Sequence, residues 1–304
     1  MCDLFGKSRQ AYYQKNKYNY KENVKEEILL QLVAFERKST PKAGGRKLLE
    51  AIQPMLPNEL RLGRDSFFNF LRHHGLLAGK RRRRIRTTYS DHWLHKYPNQ
   101  IKGFVATCAH QLWVSDITYV QTMSGFVYLN LITDAYSRKI VGWSVGETLE
   151  AKYTIDALKM ALNQVPKGQE GLIHHSDRGV QYCCNDYVKL LNNNNIQISM
   201  TESGDPRENA IAERLNGILK VEWLNDMKLK SIEDVILEVT RIIDIYNNKR
   251  LHSSLDMKTP SEAHILSGEL KKRWKPRYKN NKDTTSCEVF LGIDSSKLSK
   301  NKDS

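Results

Sequence analysis

The 304-residue sequence contains no apolar run approaching the roughly 18–20 residues of a membrane-spanning helix, and no secretory signal pattern follows Met1. Cysteine is scarce. Cys2, Cys108, Cys183, Cys184 and Cys287 are odd in number and scattered, which argues against a disulfide framework and fits reduced thiols in a cytoplasmic protein. There is no glycine-rich phosphate loop of the Walker kind, so nothing points to nucleotide hydrolysis. His73-His74, and His174-His175 with Cys183-Cys184, lack the spacing of a four-ligand zinc site. No internal repeat is evident.

Positive charge, by contrast, is abundant. Lys and Arg number 48 against 34 Asp and Glu, a formal net charge of +14 with a pI near 9.4. Such an excess favours a polyanionic partner, most often nucleic acid, although a merely basic surface would give the same balance. Two basic runs punctuate the chain. Lys80, Arg81, Arg82, Arg83, Arg84 and Arg86 crowd a segment too charged for a core, so it reads as an exposed linker suited to phosphate contact. Lys271 to Lys279 mixes cations with Trp274 and Tyr278 and opens a polar tail that is solvated charge or a second phosphate contact.

Residues 1 to 78 have helical character. Ser8 is suited to capping a short helix, Val24 to Arg37 carries a helical pattern, and a third helix is expected around Phe67 and Leu71 with Gly63 at the turn and Asp65 as cap. The arrangement is like a helix-turn-helix, though any small helical bundle would show it. From Leu112 the pattern changes to strands over Leu112–Val120, Phe126–Thr133 and Lys139–Val145. A helix from Glu150 to Val165 follows, then a strand closing at Asp177, a helix over Gln181–Asn192, a strand at Ile196–Met200 and a helix carrying Glu213. Three hairpin-connected strands followed by crossover units predict an α/β fold: a ribonuclease-H-like mixed five-stranded sheet with flanking helices, preceded by the small helical region. The expected division is 1–78 helical and DNA-binding, 79–108 basic linker, 109–268 catalytic core and 269–304 basic tail.

Three acids stand out. Asp116 interrupts the apolar run Leu112–Val120, where a carboxylate is costly to bury unless something cationic neutralises it, and no Lys or Arg is near in sequence. Asp177 falls where a strand meets a polar turn, the edge at which α/β sheets bind ligands; a turn-capping aspartate is the alternative. Glu213 lies on a helix with Asp205 as its expected cap and Pro206 in its first turn. Ile211, Leu215, Ile218 and Leu219 form its core stripe, and Asn209, Asn216, Gly217 and Lys220 share the face of Glu213. A solvated Glu-to-Lys face would look the same. Phosphodiester cleavage needs an activated hydroxyl and a stabilised leaving oxygen, which two Mg²⁺ ions (Mn²⁺ as substitute) held by a few carboxylates supply together. On this reading Asp116 bridges the ions, Asp177 and Glu213 each complete one, and Lys220 contacts phosphate. Asp134, four residues before Arg138, reads as half of an ion pair stabilising a turn.

Thirty-five residues separate Asp177 from Glu213, a spacing that resembles the DDE signature of retroviral integrases and transposases. The surrounding words resemble the second-frame catalytic protein of IS-three-type insertion-sequence transposases. They are Trp113-x-x-Asp116-Ile117-Thr118-Tyr119, Asp134-x-x-Ser137-Arg138-x-Ile140-Val141-Gly142-Trp143, and His175-Ser176-Asp177-Arg178-Gly179-x-Gln181-Tyr182. Next come Asn209-Ala210-x-x-Glu213, Lys220-x-Glu222, Tyr246-Asn247-x-x-Arg250-x-His252-x-Ser254-Leu255 and Thr259-Pro260. The chain departs from the family in Glu208, where an Asp is common, and in Leu251, between Arg250 and His252, where a proline is usual. The resemblance implies an integrase-type core, magnesium dependence, cleavage of one strand at element ends and transfer of the freed 3′-hydroxyl. It also implies contact of Asn209, Arg178 and Lys220 with DNA, a homo-multimer on DNA, and a bacterial cytoplasm beside the nucleoid. Because Met1 falls close to the start of the catalytic protein, the separate first-frame protein, or a frameshift-fused form, is an expected partner. A nuclease of the same fold without strand transfer, and a non-catalytic DNA-binding regulator, are the competing readings.

Overall fold

The computed structural model describes residues 25–78, 93–202 and 208–271. Ser8, the Lys80–Arg86 run, Asp205, Pro206 and the tail from residue 272 lie outside them. Three helices come first: α1 over 25–39, α2 over Gly45–Ile52 and α3 over Arg64–His73. Leu29, Val33, Leu48, Ile52, Phe67 and Leu71 interlock in a core of their own. Gly63, without a side-chain bond, caps α3, whereas Asp65 lies inside the first turn bonded to Arg64; the expected Asp65 cap is thereby corrected. Between α2 and α3 the chain makes two short 3₁₀ turns, Gln53–Met55 and Asn58–Leu60. That connection is longer than the three to four residues of a simple helix-turn-helix.

The sheet has the order β3-β2-β1-β4-β5. β1 is Leu112–Thr122, β2 Gly125–Asp134 and β3 Ile140–Gly146, an antiparallel meander. β4 (Ile173–Ser176) joins β1 in parallel, and β5 (Gln197–Met200) joins β4 in parallel. This is the mixed ribonuclease-H-like sheet. Crossovers run through α4 (Ala151–Leu162) and through α5 (Val180–Cys183) with α6 (Asn185–Asn193). After β5 come α7 (Ala210–Glu222), α8 (Ile232–Asn248) and α9 (Pro260–His264). No helix of the described residues is long and apolar enough to cross a membrane.

Alternation along the strands builds two cores. Val120, Val127, Leu129 and Leu131 meet Leu215, Ile218 and Leu219 of α7 and Val239 and Ile242 of α8. On the other face Trp113, Ile132 and Val141 meet Leu158 and Ala161 of α4 and Leu191 of α6. Gly142 is where β3 and α4 cross most closely: a β-carbon there would stand 2.1 Å from the Ala157 carbonyl oxygen. The helix expected over 181–192 is broken, because Cys184 is extended (ψ 148°). The break lets Tyr182 and Tyr187 both pack around His174, their rings 5.5 Å apart.

Candidate active site

Parallel register brings the two aspartates together. The last paired step of β1 with β4 is Val114 opposite His175. Asp116 and Asp177 each lie two residues further along, at the same level on strands separated by roughly 4.8 Å. Beyond this point β4 ends and β1 continues, so the carboxylates face a cleft of about 830 Å³ lined by Asp116, Asp177 and Gly179 on one side. Asp177 Oδ1 accepts from the Gly179 N–H at 3.0 Å, so the turn-capping role is real and coexists with its place beside Asp116.

The third acid comes in on α7, which lies against β1. Residues 208 and 209 form a turn and the helix begins at Ala210, with Asn209 at the cap position. Asn209 Nδ2 donates to the Ser115 carbonyl at 2.9 Å and Asn216 Nδ2 donates to Asp116 Oδ2 at 2.7 Å. Glu213 sits between these two anchors on one helical face, its residue exposed. Asn209, expected among the DNA contacts, is instead buried, 5% exposed, as a tether between helix and strand. Ile211, expected in the core stripe, is only half-buried. Asn216 was visible on the same face, at three residues from Glu213, but only the fold shows that it holds Asp116.

The electrostatics of Asp116 set it apart. Its Oδ1 accepts from its neighbour Ile117 N–H at 2.9 Å, and no basic side chain among the described residues makes an ion pair with it. Burial first, then the negative charge of Asp177 and, more weakly, of Glu213, push its carboxyl up to about 7 against the two hydrogen bonds. Asn216 Oδ1 and Asn209 Oδ1 are buried without a donor among the described residues. A surplus of oxygen acceptors and like charge over donors is what a hard divalent cation relieves, and three carboxylates are the donor set magnesium prefers. The donors therefore fit. Among the described residues, however, no three His, Cys, Asp or Glu side chains already converge as a metal-binding group.

Lys220 lies with its Nζ 3.7 Å from the centre of the Tyr119 ring, at the rim of the same cleft, and Arg178, half-buried, follows Asp177 directly. The remaining sequence words fold elsewhere. Asp134 is fully buried and accepts from the His110 N–H and from the N–H and hydroxyl of Ser137, each at 2.8 Å. No ion pair joins it to Arg138, which correction follows from the turn: the local N–H and hydroxyl donors already fill both carboxylate oxygens. Ser137 Oγ continues to His264 Nδ1 at 2.9 Å. Glu222, at the end of α7, receives two 2.6 Å bonds from Arg250, and Arg250 Nη1 donates to His252 Nε2 at 2.7 Å. Burial and the adjacent guanidinium hold His252 well below the usual imidazole range, which keeps that acceptor neutral. Asn247 both donates to and accepts from the backbone of Ile140, fastening α8 to β3. Thr259, Pro260 and Glu262 form a capping box on α9. His174 and His175 are spent on Ser115, Tyr187, Ser199 and the Glu208 carbonyl.

Residues 106–206 match the family described as integrase core domain, and residues 194–260 match a second family of the same description. The insertion element IS600 uncharacterized 31 kDa protein of Shigella sonnei is 34% identical over 266 residues, which are 86% of this chain and 96% of that protein. The transposase for insertion sequence element IS629, also of Shigella sonnei, is 34% identical over 69% of this chain and 70% of its own length. Transposase InsF for insertion sequence IS3A of Escherichia coli is 36% identical over 60% of this chain and 64% of its own. The matched stretch contains the strand of Asp116, the turn of Asp177 and the helix of Glu213 in one order and one sheet. The chain belongs to the IS-three-type insertion-sequence transposases, which carry an integrase core domain.

Proposed function

We propose that Asp116, Asp177 and Glu213 are the catalytic carboxylates of a DNA transposase that cuts one strand at the ends of its element and joins the freed 3′-hydroxyl to a new phosphodiester. The observation that carries this reading is the parallel register that sets Asp116 and Asp177 level on β1 and β4 at one cleft, with Asn216 of the Glu213 helix bonded to Asp116, in a chain of this family. Two Mg²⁺ ions, with Mn²⁺ as substitute, would be held by the three acids and supply Lewis-acid stabilisation to the attacking and leaving oxygens. The protein's own part is positional. Asn216 fixes the orientation of Asp116 Oδ2, Gly179 holds Asp177 Oδ1, and Asn209 ties the start of α7 to β1 so that Glu213 is presented toward the aspartates. Lys220, at the cleft rim on Tyr119, and Arg178 are placed to meet phosphate oxygens.

The N-terminal helices, with Arg64, Asn69 and Arg72 exposed along α3, and the Lys80–Arg86 run would bind the DNA flanking the cut. Pairing of two element ends calls for more than one copy of the chain on DNA, and the first-frame protein, or a fused form, is the expected partner in finding those ends. The test is an assay on a duplex carrying the terminal sequence that flanks the gene. Wild-type protein with Mg²⁺ should yield joined product. Glu213→Gln should abolish cleavage while leaving DNA binding nearly intact; unchanged cleavage would remove Glu213 from the site. Nicked product that is never joined would favour a nuclease of the same fold, and binding without cleavage a regulator.

A further inference from the structure

The cleft that Asp116 and Asp177 line also has an aromatic wall that the acid chemistry leaves unexplained. Tyr119 and Tyr128 are direct cross-strand partners, and Phe126 stands two residues from Tyr128 on the same face of the β1–β2 ribbon. All three line the cleft with Asp116 and Asp177. Phe126 is 56% exposed and Tyr119 40%, with the two rings in edge-to-face contact at 5.5 Å. Leu149 and Val180, at the cleft's other lip, are likewise exposed. Large apolar side chains gathered in solvent around a reacting centre mark a binding surface.

The chemistry around the patch narrows its occupant. The Lys220 ammonium lies over the Tyr119 ring, and Phe126 beside it is the most exposed of the three aromatic side chains. A ligand filling this space offers a flat apolar face to the rings and an anionic group to Lys220. A nucleotide has that pair of features, and a base stacks on aromatic side chains without regard to sequence. Inside a duplex both faces of a base are covered by its neighbours, so only an unpaired base can use such a wall.

We propose that Tyr119, Phe126 and Tyr128 form a stacking platform for a nucleobase unpaired from the DNA end beside the scissile phosphate. The platform draws the strand away from its complement and into the cleft. This rests on the acids being the place where the phosphodiester reacts, and it adds the class of DNA structure that the site takes.

Two measurements separate the platform from that reading. The first places 2-aminopurine at the terminal position of the element-end duplex and follows its fluorescence on protein binding without divalent metal, so that no cleavage is needed. Wild-type protein should change the signal and Phe126→Ala should not. An unchanged signal with bound wild-type protein overturns the platform, whatever the cleavage activity. The second compares cleavage of a fully paired end with an end mismatched at its last positions. Phe126→Ala should lose about tenfold on the paired end, the scale of one base–aromatic stack, and recover most of it on the mismatched end. Phe126→Trp should match wild type on both. Equal loss on both ends, or none on either, overturns the platform. Altered self-association of Phe126→Ala with wild-type cleavage of both ends would also overturn it and assign the patch to a contact between copies. A wild-type protein that changes the fluorescence yet cuts neither end supports the platform and counts against the acid site.

Discussion

Asp116 and Asp134 lie on neighbouring antiparallel strands, where Asp134 faces Trp113 and Asp116 faces Leu131, yet their surroundings are opposite. Around Asp134 the fold supplies three donors from the backbone and Ser137, and the chain of bonds runs on to His264. Glu222 at the far end of α7 is treated the same way, by both arms of Arg250. Asp116 has two donors and two acidic neighbours. The polar cluster is closed by donors within the protein, whereas Asp116 meets like charge that its two hydrogen bonds among the described residues do not offset. This contrast teaches how to separate structural from catalytic acids: by what completes them.

The contrast can be broken by exchange of single atoms. The largest effect is expected for Asp116→Asn. Loss of metal-based stabilisation worth several kcal/mol should reduce strand cleavage about a thousandfold, while the metal-free protein becomes more resistant to heat because the charge beside Asp177 is gone. Cleavage kinetics and calorimetry of one preparation check both, and a less stable variant that still cuts would erase the distinction. Arg250→Met comes next. It strands the Glu222 carboxylate in a site where both partners are at most 6% exposed, so urea denaturation should show a loss of about 3–5 kcal/mol. Asp134→Asn should cost less, about 1–3 kcal/mol, since one of its two oxygens becomes a donor facing donors; a neutral effect would mean that the cluster is not closed as described.

A pH dependence sharpens the comparison further. A carboxyl raised above its ordinary value of 3.8 to about 7 binds its proton more tightly in the folded protein. Its contribution to stability is full below the ordinary value and is lost as the pH rises through about 7. Melting temperatures of metal-free wild type should therefore fall relative to Asp116→Asn across that window, and the difference isolates Asp116 from the buried histidines, whose shifts run the other way. Millimolar Mg²⁺ should restore the wild type above pH 7 and leave Asp116→Asn unmoved. Parallel curves for the two proteins would deny Asp116 its unbalanced charge.

Much of the fold was legible because alternation and helical period are local. Strand positions in β1, β2 and β3 came within a few residues of their observed ends, and Leu215, Ile218 and Leu219 of α7 lie in the core as their helical period requires. Less legible was the fate of polar residues. Asn209 shares the Glu213 face, and sequence assigned it to DNA, but the close packing of α7 on β1 turns it inward to Ser115. Arg138 is four residues from Asp134, yet the turn brings Ser137 there first. Asp65 looked like a cap, but the chain enters α3 at Arg64, two residues earlier than a cap at Asp65 requires. Tyr119 belongs to the Asp116 motif, while its exposure beside Phe126 is a property of the folded hairpin.

The order of residues by itself determined that strands, helices and three isolated acids would occur in the succession of an integrase core, because hydrophobic period and residue type are written along the chain. Only the tertiary structure decided which acid is closed in by donors, as Asp134 is, and which is raised by acidic neighbours, as Asp116 is. That depends on register: a parallel pairing two residues short of Asp116 and Asp177 sets them level, and a helix crossing β1 brings Asn216 to Asp116 and the charge of Glu213 to bear on it. Charge balance is a property of neighbours in space, and neighbours a hundred residues apart in sequence are chosen by packing.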